Sequence, residues 1–430
     1  MRKKYSIVTG RINSLKFVII SLFFILNYPV NIQSQNEYPL DINYYNFIHY
    51  KENKISFPGD SSNFKRLFQK LDTIILNGKS KISIVHIGGS HIQADVYSGR
   101  MRERLQTFYP GMNGGRGSVF PYRITKTNNP RSYSVYYTGK WIPCRNVERK
   151  KKCKLGLSGL SVSTFDPSAS ITIKLKSDSL VEYYFNKIRI FHENDSNVFQ
   201  LSFSGLEIEK VERNDSLGFS LFYLKKDYQQ FKLQFLKENI LQNQFVLYGI
   251  SLENDDPGIV YHSVGVNGAS FPSFLRCQLF EKQLAALKPD LVIISLGTND
   301  AYTTKFVPDF YKSNYQSLIN KIKRAAPESA ILNTVANDSY LYRRYPNTNT
   351  QLAENVIYEV AKKNNCGVWD FFKIMGGLNS SSLWRQENLM INDMIHFNVQ
   401  GYLLKGDLLF NAFIKSYDNY LSSKPIKNDY

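Results

Sequence analysis

The stretch Lys81–His91, which reads KISIVHIGGSH, decides the fold of this chain. Its first seven residues are rich in apolar β-branched side chains, as is typical of a strand that is buried on both faces. Gly88 and Gly89 end the strand, because glycine permits a sharp turn. We predict a helix from about Ala94 to Phe108 after this turn. A buried strand that leads into a helix indicates the start of a parallel α/β sheet.

The same alternation of strand and helix resumes near residue 260 and continues almost to the C-terminus. Near-continuous apolar strands separated by helices indicate a parallel sheet with helices on both faces, in three α/β/α layers. We predict strands at Val260–Val266, Asp290–Leu296, Ala330–Ala336 and Gly367–Asp370, and helices at Phe64–Leu76, Phe271–Leu287, Phe310–Ala326, Thr350–Lys363 and Val399–Tyr420.

Between these two α/β segments the composition and the hydrophobic periodicity of the sequence change. The region from about Gly111 to Asp256 contains many glycines, serines and aromatic residues in short alternating stretches. Such stretches, separated by turn residues, predict the strands of a β-sandwich. The predicted strands are Ser161–Thr164, Ser170–Leu175, Tyr183–Phe191, Phe199–Phe203, Gly218–Leu224 and Gln230–Leu236.

These patterns predict four parts of the chain: a leader at 1–35, a first α/β part at 36–110, an inserted all-β domain at 111–258 and a second α/β part at 259–422. The insertion leaves the first strand at its C-terminal end, where open α/β sheets bind their ligands. We therefore expect the β domain to lie beside the substrate.

The leader begins with the basic residues Arg2, Lys3 and Lys4 and continues with the apolar run Phe17–Leu26. This run is shorter than the roughly 20 apolar residues that span a membrane, so it predicts a signal peptide. Cleavage near Ser34 is one alternative, and an uncleaved N-terminal membrane anchor is the other. In both cases we expect the protein to act outside the cytoplasm, in a periplasm or cell envelope.

The composition is that of a globular protein with a strongly basic charge. Hydrophobic residues make up 43% of the 430 residues, and the net charge is +18. We expect attraction to anionic polymers such as cell wall or acidic glycans, although a generally basic, solvated surface explains the charge as well. Nucleic acid is not an expected partner, because no known binding motif accompanies the charge. The run Glu148–Lys152 is expected to be an exposed loop.

Four cysteines are present. Export makes a disulfide possible, and Cys144 and Cys153 are close enough in sequence to close a short loop or to remain thiols. Cys277 and Cys366 lie in predicted helical segments and are expected to be buried thiols. No cluster of cysteine and histidine suggests a metal, so we expect no metal site and no organic cofactor.

Three short stretches at the ends of these elements carry candidate chemistry. Ser90 ends the first of them, and Asp393 and His396 stand just before the last predicted helix. A serine hydroxyl needs a base to take its proton, and a carboxylate can orient a histidine for that task. Ser90, His396 and Asp393 therefore form a candidate catalytic triad.

The negative oxygen of an acyl-transfer intermediate also needs hydrogen-bond donors. The candidates are the Ser90 N–H, the Gly268 N–H and the side-chain amide of Asn299, which lies in Gly297–Asp300 at the end of a predicted strand. Each motif alone is more often a turn, a cap or a loop. Their order along the chain and their positions at the ends of elements favour a shared site.

Other polar residues near these motifs have structural interpretations. We expect His86 to be a buried core histidine and His91 to contact substrate or cap a loop. Asp95 and Asp300 are expected to be structural, and Asp338 to be an ordinary polar loop residue. The aromatic residues Tyr133, Tyr136, Tyr137 and Trp141 either stack on sugar rings or, as we expect for most of them, belong to the core of the β domain.

The chain resembles the SGNH/GDSL hydrolase superfamily. Gly88-Gly89-Ser90-His91, Val266–Ala269, Gly297–Asp300 and Asp393–His396 resemble its first, second, third and fifth sequence blocks. The resemblance implies a flavodoxin-like three-layer α/β/α fold carrying an inserted β-sandwich of jelly-roll type. Gly89 departs from the family, which usually has aspartate there. That aspartate is not a triad member, so the resemblance still implies an ester hydrolase.

The position of the β insertion resembles the peptidoglycan O-acetylesterase branch of this superfamily. The resemblance implies removal of O-acetyl groups from peptidoglycan or another acetylated glycan through an acetyl-Ser90 intermediate. One alternative is a different enzyme activity, either acetyl transfer to a polysaccharide or hydrolysis of another carbohydrate acetyl ester. The other alternative is glycan binding without catalysis. The sequence leaves the oligomeric state open.

Overall fold

The computed structural model of the protein describes residues 42–176 and 181–424. The predicted leader at 1–35 lies outside these residues. Within the described ranges, no helix has the length and apolar character needed to cross a membrane.

Two short 3-10 turns lie at Tyr50–Glu52 and Tyr122–Thr125. The helices are α1 (Ser62–Asn77), α2 (Ser90–Gln93), α3 (Tyr97–Thr107), α4 (Phe271–Leu275), α5 (Phe280–Leu287), α6 (Thr298–Ala301), α7 (Pro308–Ala325), α8 (Asn349–Asn364), α9 (Phe371–Ile374), α10 (Ser380–Gln386) and α11 (Val399–Ser422).

Most of the strands lie between α3 and α4. In chain order they are β1 (Ile55–Ser56), β2 (Lys81–Gly88), β3 (Gly117–Val119), β4 (Tyr133–Thr138), β5 (Ile142–Arg145), β6 (Leu160–Thr164), β7 (Ser170–Leu175), β8 (Phe185–His192), β9 (Gln200–Ser204), β10 (Ile208–Asn214), β11 (Phe219–Tyr228), β12 (Gln230–Leu236), β13 (Phe245–Glu253), β14 (Gly258–Gly265), β15 (Leu291–Ser295), β16 (Ala330–Thr334), β17 (Tyr340–Leu341), β18 (Tyr345–Pro346) and β19 (Gly367–Trp369).

A six-stranded sheet in the order β1-β19-β16-β15-β2-β14 forms the centre of the α/β part. Its five longer strands pair in parallel, and β1 adds an antiparallel edge. Numbered along the chain, the parallel strands follow the order 2-1-3-4-5, which is the flavodoxin-like order. Side chains of β15 such as Val292 and Ile294 are fully buried. The predicted flavodoxin-like fold is confirmed.

Two antiparallel sheets lie between β2 and β14 in the sequence. One contains seven strands, with β10-β11-β8-β13-β6-β5 in order and β3 on β13, and the other has the order β4-β7-β12-β9. Aromatic rings pack between the inner faces of the two sheets. The ring centroids of Phe203 and Phe222 lie 4.8 Å apart, and those of Phe235 and Phe245 lie 4.5 Å apart. This packing is that of an inserted β domain. The boundaries 111–258 stay a prediction.

Tertiary contacts interrupt two of the predicted helices. The helix predicted at Phe271–Leu287 is broken between α4 and α5, where the Leu279 N–H donates to Leu155 O of the β insertion at 3.0 Å. The helix predicted from Ala94 begins only at Tyr97, because Asp95 adopts a φ of +50° in the left-handed region. Both breaks occur where the α/β part meets the β insertion.

The four cysteines form one disulfide and leave two free thiols. Cys144 and Cys153 form a disulfide, so the first of the two alternatives for this pair holds. Cys277 and Cys366 are buried free thiols, as predicted. The disulfide closes a loop of the β insertion that contains the basic run beginning at Glu148.

Candidate active site

Ser90 lies at the carboxyl end of β2 and is the first residue of α2. The turn before it requires a glycine at position 88. A Cβ on Gly88 would lie 2.3 Å from Ile92 Cγ1 and 2.9 Å from Ser295 O, which is closer than any side chain tolerates. The absence of a side chain at this position lets β2 pass directly into α2 and present the serine at the rim of the sheet.

Asp393 and His396 lie in the turn before α11, and the aspartate shapes that turn. Its Oδ1 accepts hydrogen bonds from the N–H groups of Ile395 and His396, both at 2.9 Å. Met394 adopts a φ of +58° between them. The turn is also anchored by the Tyr340 N–H, which donates to Met394 O at 3.1 Å. This backbone capping explains why the two residues stand three positions apart.

The three side chains form one hydrogen-bonded chain. Ser90 Oγ lies 2.7 Å from His396 Nε2, and His396 Nδ1 lies 2.6 Å from Asp393 Oδ2. Burial alone would raise the pKa of Asp393, but hydrogen bonds from the His396 ring and backbone lower it overall. The ionised carboxylate can hold the imidazole with Nε2 free to accept the serine proton. The His396 side chain is 32% exposed, so the site is open to a substrate.

The predicted oxyanion donors surround the same turn. A Cβ on Gly89 would lie 3.2 Å from Asn299 Nδ2 and 3.5 Å from Ala269 O, so the three motifs converge at this point. The Asn299 amide donates to Ala269 O at 2.9 Å, which orients it and leaves its second N–H available. Gly268 has a φ of +79°, and its N–H makes no hydrogen bond to the described residues. Both Gly268 and Asn299 are exposed at the rim.

The two histidines near the serine are both buried. His86 is a core histidine, as expected: its Nδ1 lies 2.6 Å from the Tyr261 hydroxyl, and burial lowers its pKa to about 3. His91 neither caps a loop nor lies open to a substrate. Its ring packs on the ring of His396, and the Tyr402 hydroxyl lies 3.0 Å from its Nδ1. The interpretation of His91 from the sequence was therefore wrong.

Asp95 is structural, as predicted, and holds the β insertion on the α/β part. Its carboxylate binds the guanidinium groups of Arg102 at 2.8 Å and Arg116 at 2.6 Å, and all three side chains are buried. Arg102 lies on α3, and Arg116 directly precedes β3. The ion pairs therefore connect the helix after the nucleophile to the first strand of the insertion.

Asp300 is a partly buried residue, whereas Asp338 is buried. Asp300 Oδ1 accepts from the Phe271 N–H at 3.1 Å, which supports the structural role predicted for it. Asp338 is not an ordinary loop residue, contrary to expectation. It is fully buried, and its Oδ2 accepts from the Ser381 N–H at 2.9 Å, so it connects the loop after β16 to α10.

A set of amides around Ser90 was not found from the sequence. Gln93 Oε1 accepts from the Asn267 N–H at 2.7 Å, and Gln93 Nε2 donates to Asn128 O at 2.9 Å. Asn337 Nδ2 donates to Ile395 O at 3.1 Å and supports the histidine turn. The only available signal was the position of Gln93 three residues after Ser90. These amides fix the loops that carry Gly268 and His396.

The aromatic residues of the β insertion divide between core and surface. Tyr133 is buried, whereas Tyr136 and Tyr137 are 57% and 44% exposed. Trp141 is partly buried against the ring of Phe235. The expectation that most of these residues belong to the core was therefore wrong for the two exposed tyrosines.

The described residues include no group of three or more histidine, cysteine, aspartate or glutamate side chains arranged to hold a metal ion. A Ser-His-Asp chain at the carboxyl edge of a flavodoxin-like sheet suits acyl transfer, so fold and site point to the class of α/β/α hydrolases. Residues 242–404 match the model of the GDSL-like Lipase/Acylhydrolase family. This match supports a carboxylic ester hydrolase with a GDSL-like acylhydrolase domain over residues 242–404.

Among solved structures, a peptidoglycan O-acetylesterase is similar over 85% of this chain and 99% of its own, with 20% identity and a TM-score of 0.69. The similarity extends over both the α/β part and the β insertion and shows a shared fold. An acetyl xylan esterase covers 36% of this chain and 81% of its own, at 20% identity and a TM-score of 0.30. A lipase/acylhydrolase from Enterococcus faecalis is similar over 38% of this chain and 78% of its own, with 20% identity and a TM-score of 0.30. Among curated proteins, no relative matches the sequence.

Proposed function

We propose that this protein is a serine esterase that removes O-acetyl groups from a glycan of the cell envelope, and that peptidoglycan is its substrate. The observation that carries the proposal is the continuous chain Ser90–His396–Asp393, with hydrogen bonds of 2.7 and 2.6 Å. The choice of peptidoglycan is supported by the shared fold with a peptidoglycan O-acetylesterase over 99% of that protein. The β insertion is part of that shared fold.

The proposed reaction has two steps. Ser90 Oγ attacks the acetyl carbonyl carbon while His396 Nε2 takes its proton. The carbonyl oxygen becomes negative and accepts hydrogen bonds from the N–H groups of Ser90 and Gly268 and from the Asn299 amide. The intermediate collapses, the sugar oxygen leaves with the proton from His396, and the acetyl group remains on Ser90.

Water completes the cycle. His396 takes a proton from a water molecule, which attacks the acetyl-Ser90 carbonyl carbon, and the same donors stabilise the second oxyanion. Acetate leaves, and the proton returns to Ser90 Oγ. Asp393 orients His396 and stabilises its charged form in both steps. The reaction needs only groups of this chain and water.

The experiment that tests this function measures acetate release from O-acetylated peptidoglycan beside acetylated xylan, with the wild-type protein and Ser90→Ala. We expect the wild type to release acetate faster from peptidoglycan and the variant to release none above background. Faster release from xylan would contradict the choice of glycan but not the esterase chemistry. A folded wild-type protein that hydrolyses neither glycan nor an aryl acetate would contradict the esterase itself.

A further inference from the structure

A cleft is lined in part by Asn299, and residues of both the α/β part and the β insertion contribute to it. Arg149 comes from the disulfide-closed loop of the β insertion. Asn299, Lys305, Phe306 and Phe310 come from the segment between β15 and α7 and from the first turn of α7. Because Asn299 also borders the turn of Ser90, the cleft is adjacent to the place where an ester would lie at the serine.

The loop that supplies Arg149 is held in a fixed position. The disulfide between Cys144 and Cys153 closes its base. The Arg276 guanidinium donates to the carbonyl oxygens of Asn146 at 3.0 Å and of Glu148 and Lys151 at 3.3 Å. Three hydrogen bonds from one charged donor order the loop on the α/β part. Its position beside the ester site is therefore built into the fold.

The same loop reaches the oxyanion glycine. A Cβ on Gly268 would meet only Val147 Cγ1, at 3.9 Å, so the loop lies at van der Waals distance from the predicted donor. Arg149 stands two residues further along the loop. The basic residues of this loop therefore belong to the same short loop as Val147, which lies beside Gly268.

The charges in and around the cleft are predominantly positive. Between the two cysteines there are five basic residues and one acidic residue, and that Glu148 already pairs with Arg145 and Lys151. Arg149 and Lys305 are exposed, and neither has an ion-pair partner among the described residues. The one acidic residue among those lining the cleft is Asp300, and burial raises its pKa to about 7, which reduces its negative charge at neutral pH.

We propose that this cleft is a subsite for a carboxylate of the glycan, held between Arg149 and Lys305 while the neighbouring ester lies at Ser90. The inference rests on the proposed esterase function and narrows its substrates to acetyl esters of carboxylate-bearing glycans. A guanidinium offers two parallel donors that match a carboxylate, and an ammonium adds a second positive charge. The rings of Phe306 and Phe310 offer apolar surface to the sugar beside it.

The test compares Arg149→Gln, Lys305→Gln and the double variant with Lys150→Gln, a matched control on the same loop whose side chain does not line the cleft. The substrates are O-acetylated polygalacturonate and O-acetylated peptidoglycan, which carry carboxylates from different sources, and acetylated xylan as a neutral glycan. For each variant, the ratio of kcat/KM on a charged glycan to kcat/KM on xylan is measured. We expect this ratio to fall about tenfold in each cleft variant, through KM, and to stay at the wild-type value in Lys150→Gln.

A second measurement is independent of turnover. Binding of polygalacturonate without acetyl groups is measured for Ser90→Ala and for Ser90→Ala with Arg149→Gln, and we expect the second protein to bind about tenfold more weakly. The subsite would be overturned if the kcat/KM ratio and the binding of polygalacturonate were unchanged in the cleft variants. It would also be overturned if Lys150→Gln lowered the kcat/KM ratio as much as the cleft variants do, because the positive charge of the whole loop would then explain the effect. If the wild type hydrolyses an aryl acetate but shows these results, the subsite alone fails. If it hydrolyses no ester, the proposed function fails, and the binding arm still decides the subsite.

Discussion

The imidazole rings of His91 and His396 stack, with centroids 5.0 Å apart and an angle of 25° between their planes. His91 is buried, and burial followed by the charges of Lys405 and His396 lowers its pKa well below the ordinary value. His91 is therefore neutral and presents a flat face to the candidate base without charge repulsion. We infer that it positions His396 for Ser90.

Removing this ring should affect turnover more than binding. In His91→Ala we expect kcat on an aryl acetate to fall about tenfold with KM nearly unchanged. Without the stacked ring, the His396 imidazole can rotate away from Ser90 Oγ. His91→Phe keeps a flat ring and should restore most of kcat. Steady-state kinetics check this. Equal kcat in the wild type and His91→Ala, or a loss expressed only in KM, would contradict the positioning role.

Gly89 stands where the family usually has aspartate, and the structure gives a reason for the glycine. A methyl group there would lie 3.2 Å from Asn299 Nδ2 and displace the amide by a few tenths of an ångström. We expect Gly89→Ala to lose about tenfold in kcat, because a displaced Asn299 amide would no longer be aimed at the proposed oxyanion.

The matched control for this variant is Gly249→Ala in β13, where the added methyl would make only an ordinary contact with Phe191 at 3.6 Å. It should retain full kcat. Full activity in Gly89→Ala would show that the amide of Asn299 does not depend on the space at position 89.

Asp95 should be the most costly single ion-pair partner to remove. Its carboxylate pairs with Arg102 and Arg116, and the carboxylate and both guanidinium groups are at most 2% exposed. Asp95→Asn leaves two buried cations without their counter-charge, so we expect the free energy of unfolding to fall by about 3–5 kcal/mol. Urea unfolding at neutral pH measures this. Asp255→Asn, which removes an exposed pair with Lys187, should cost about 1 kcal/mol or less.

The effect of Asp95 should also depend on pH in a defined direction. Burial would raise the pKa of Asp95, but Arg102 and Arg116 lower it well below the ordinary value. A carboxyl group with a lowered pKa in the folded state stabilises the fold above its unfolded pKa of about 3.9, and this contribution is lost as the pH falls below that value. The difference between the wild type and Asp95→Asn should therefore shrink below about pH 4. A difference that grows in acid would contradict the ion-pair account.

The sequence was sufficient to predict a parallel sheet and an insertion after its first strand. The buried strands β2, β15 and β16 alternate with amphipathic helices, and the resemblance to the SGNH/GDSL superfamily implied the flavodoxin-like fold. Five strands of the β insertion, β3, β4, β5, β10 and β13, were not predicted. Ile208–Asn214 is a largely exposed, charged edge strand without clear alternation, and Phe245–Glu253 is a central strand buried on both faces, whose run shows no period of two.

Local patterns also identified the three residues of the candidate triad, because each lies at the end of a strand or before a helix. The contacts that hold them depend on distant parts of the chain. His91 meets Tyr402 across 311 positions, and Asp95 meets Arg116 through a left-handed turn that no propensity indicates. The breaks at α3 and α4 have the same origin. Side-chain partners that are far apart in sequence leave no periodic signal, so only the folded structure reveals them.

The most direct measurement of the central claim is covalent labelling of the nucleophile. The wild-type protein and Ser90→Ala are treated with a fluorophosphonate probe, and the adduct is located by mass spectrometry of the intact chain and its peptides, beside turnover of an aryl acetate. We expect one adduct, on Ser90, and a loss of roughly three to six orders of magnitude in turnover for Ser90→Ala. An adduct on another residue, or aryl acetate hydrolysis by Ser90→Ala at the wild-type rate, would contradict this expectation.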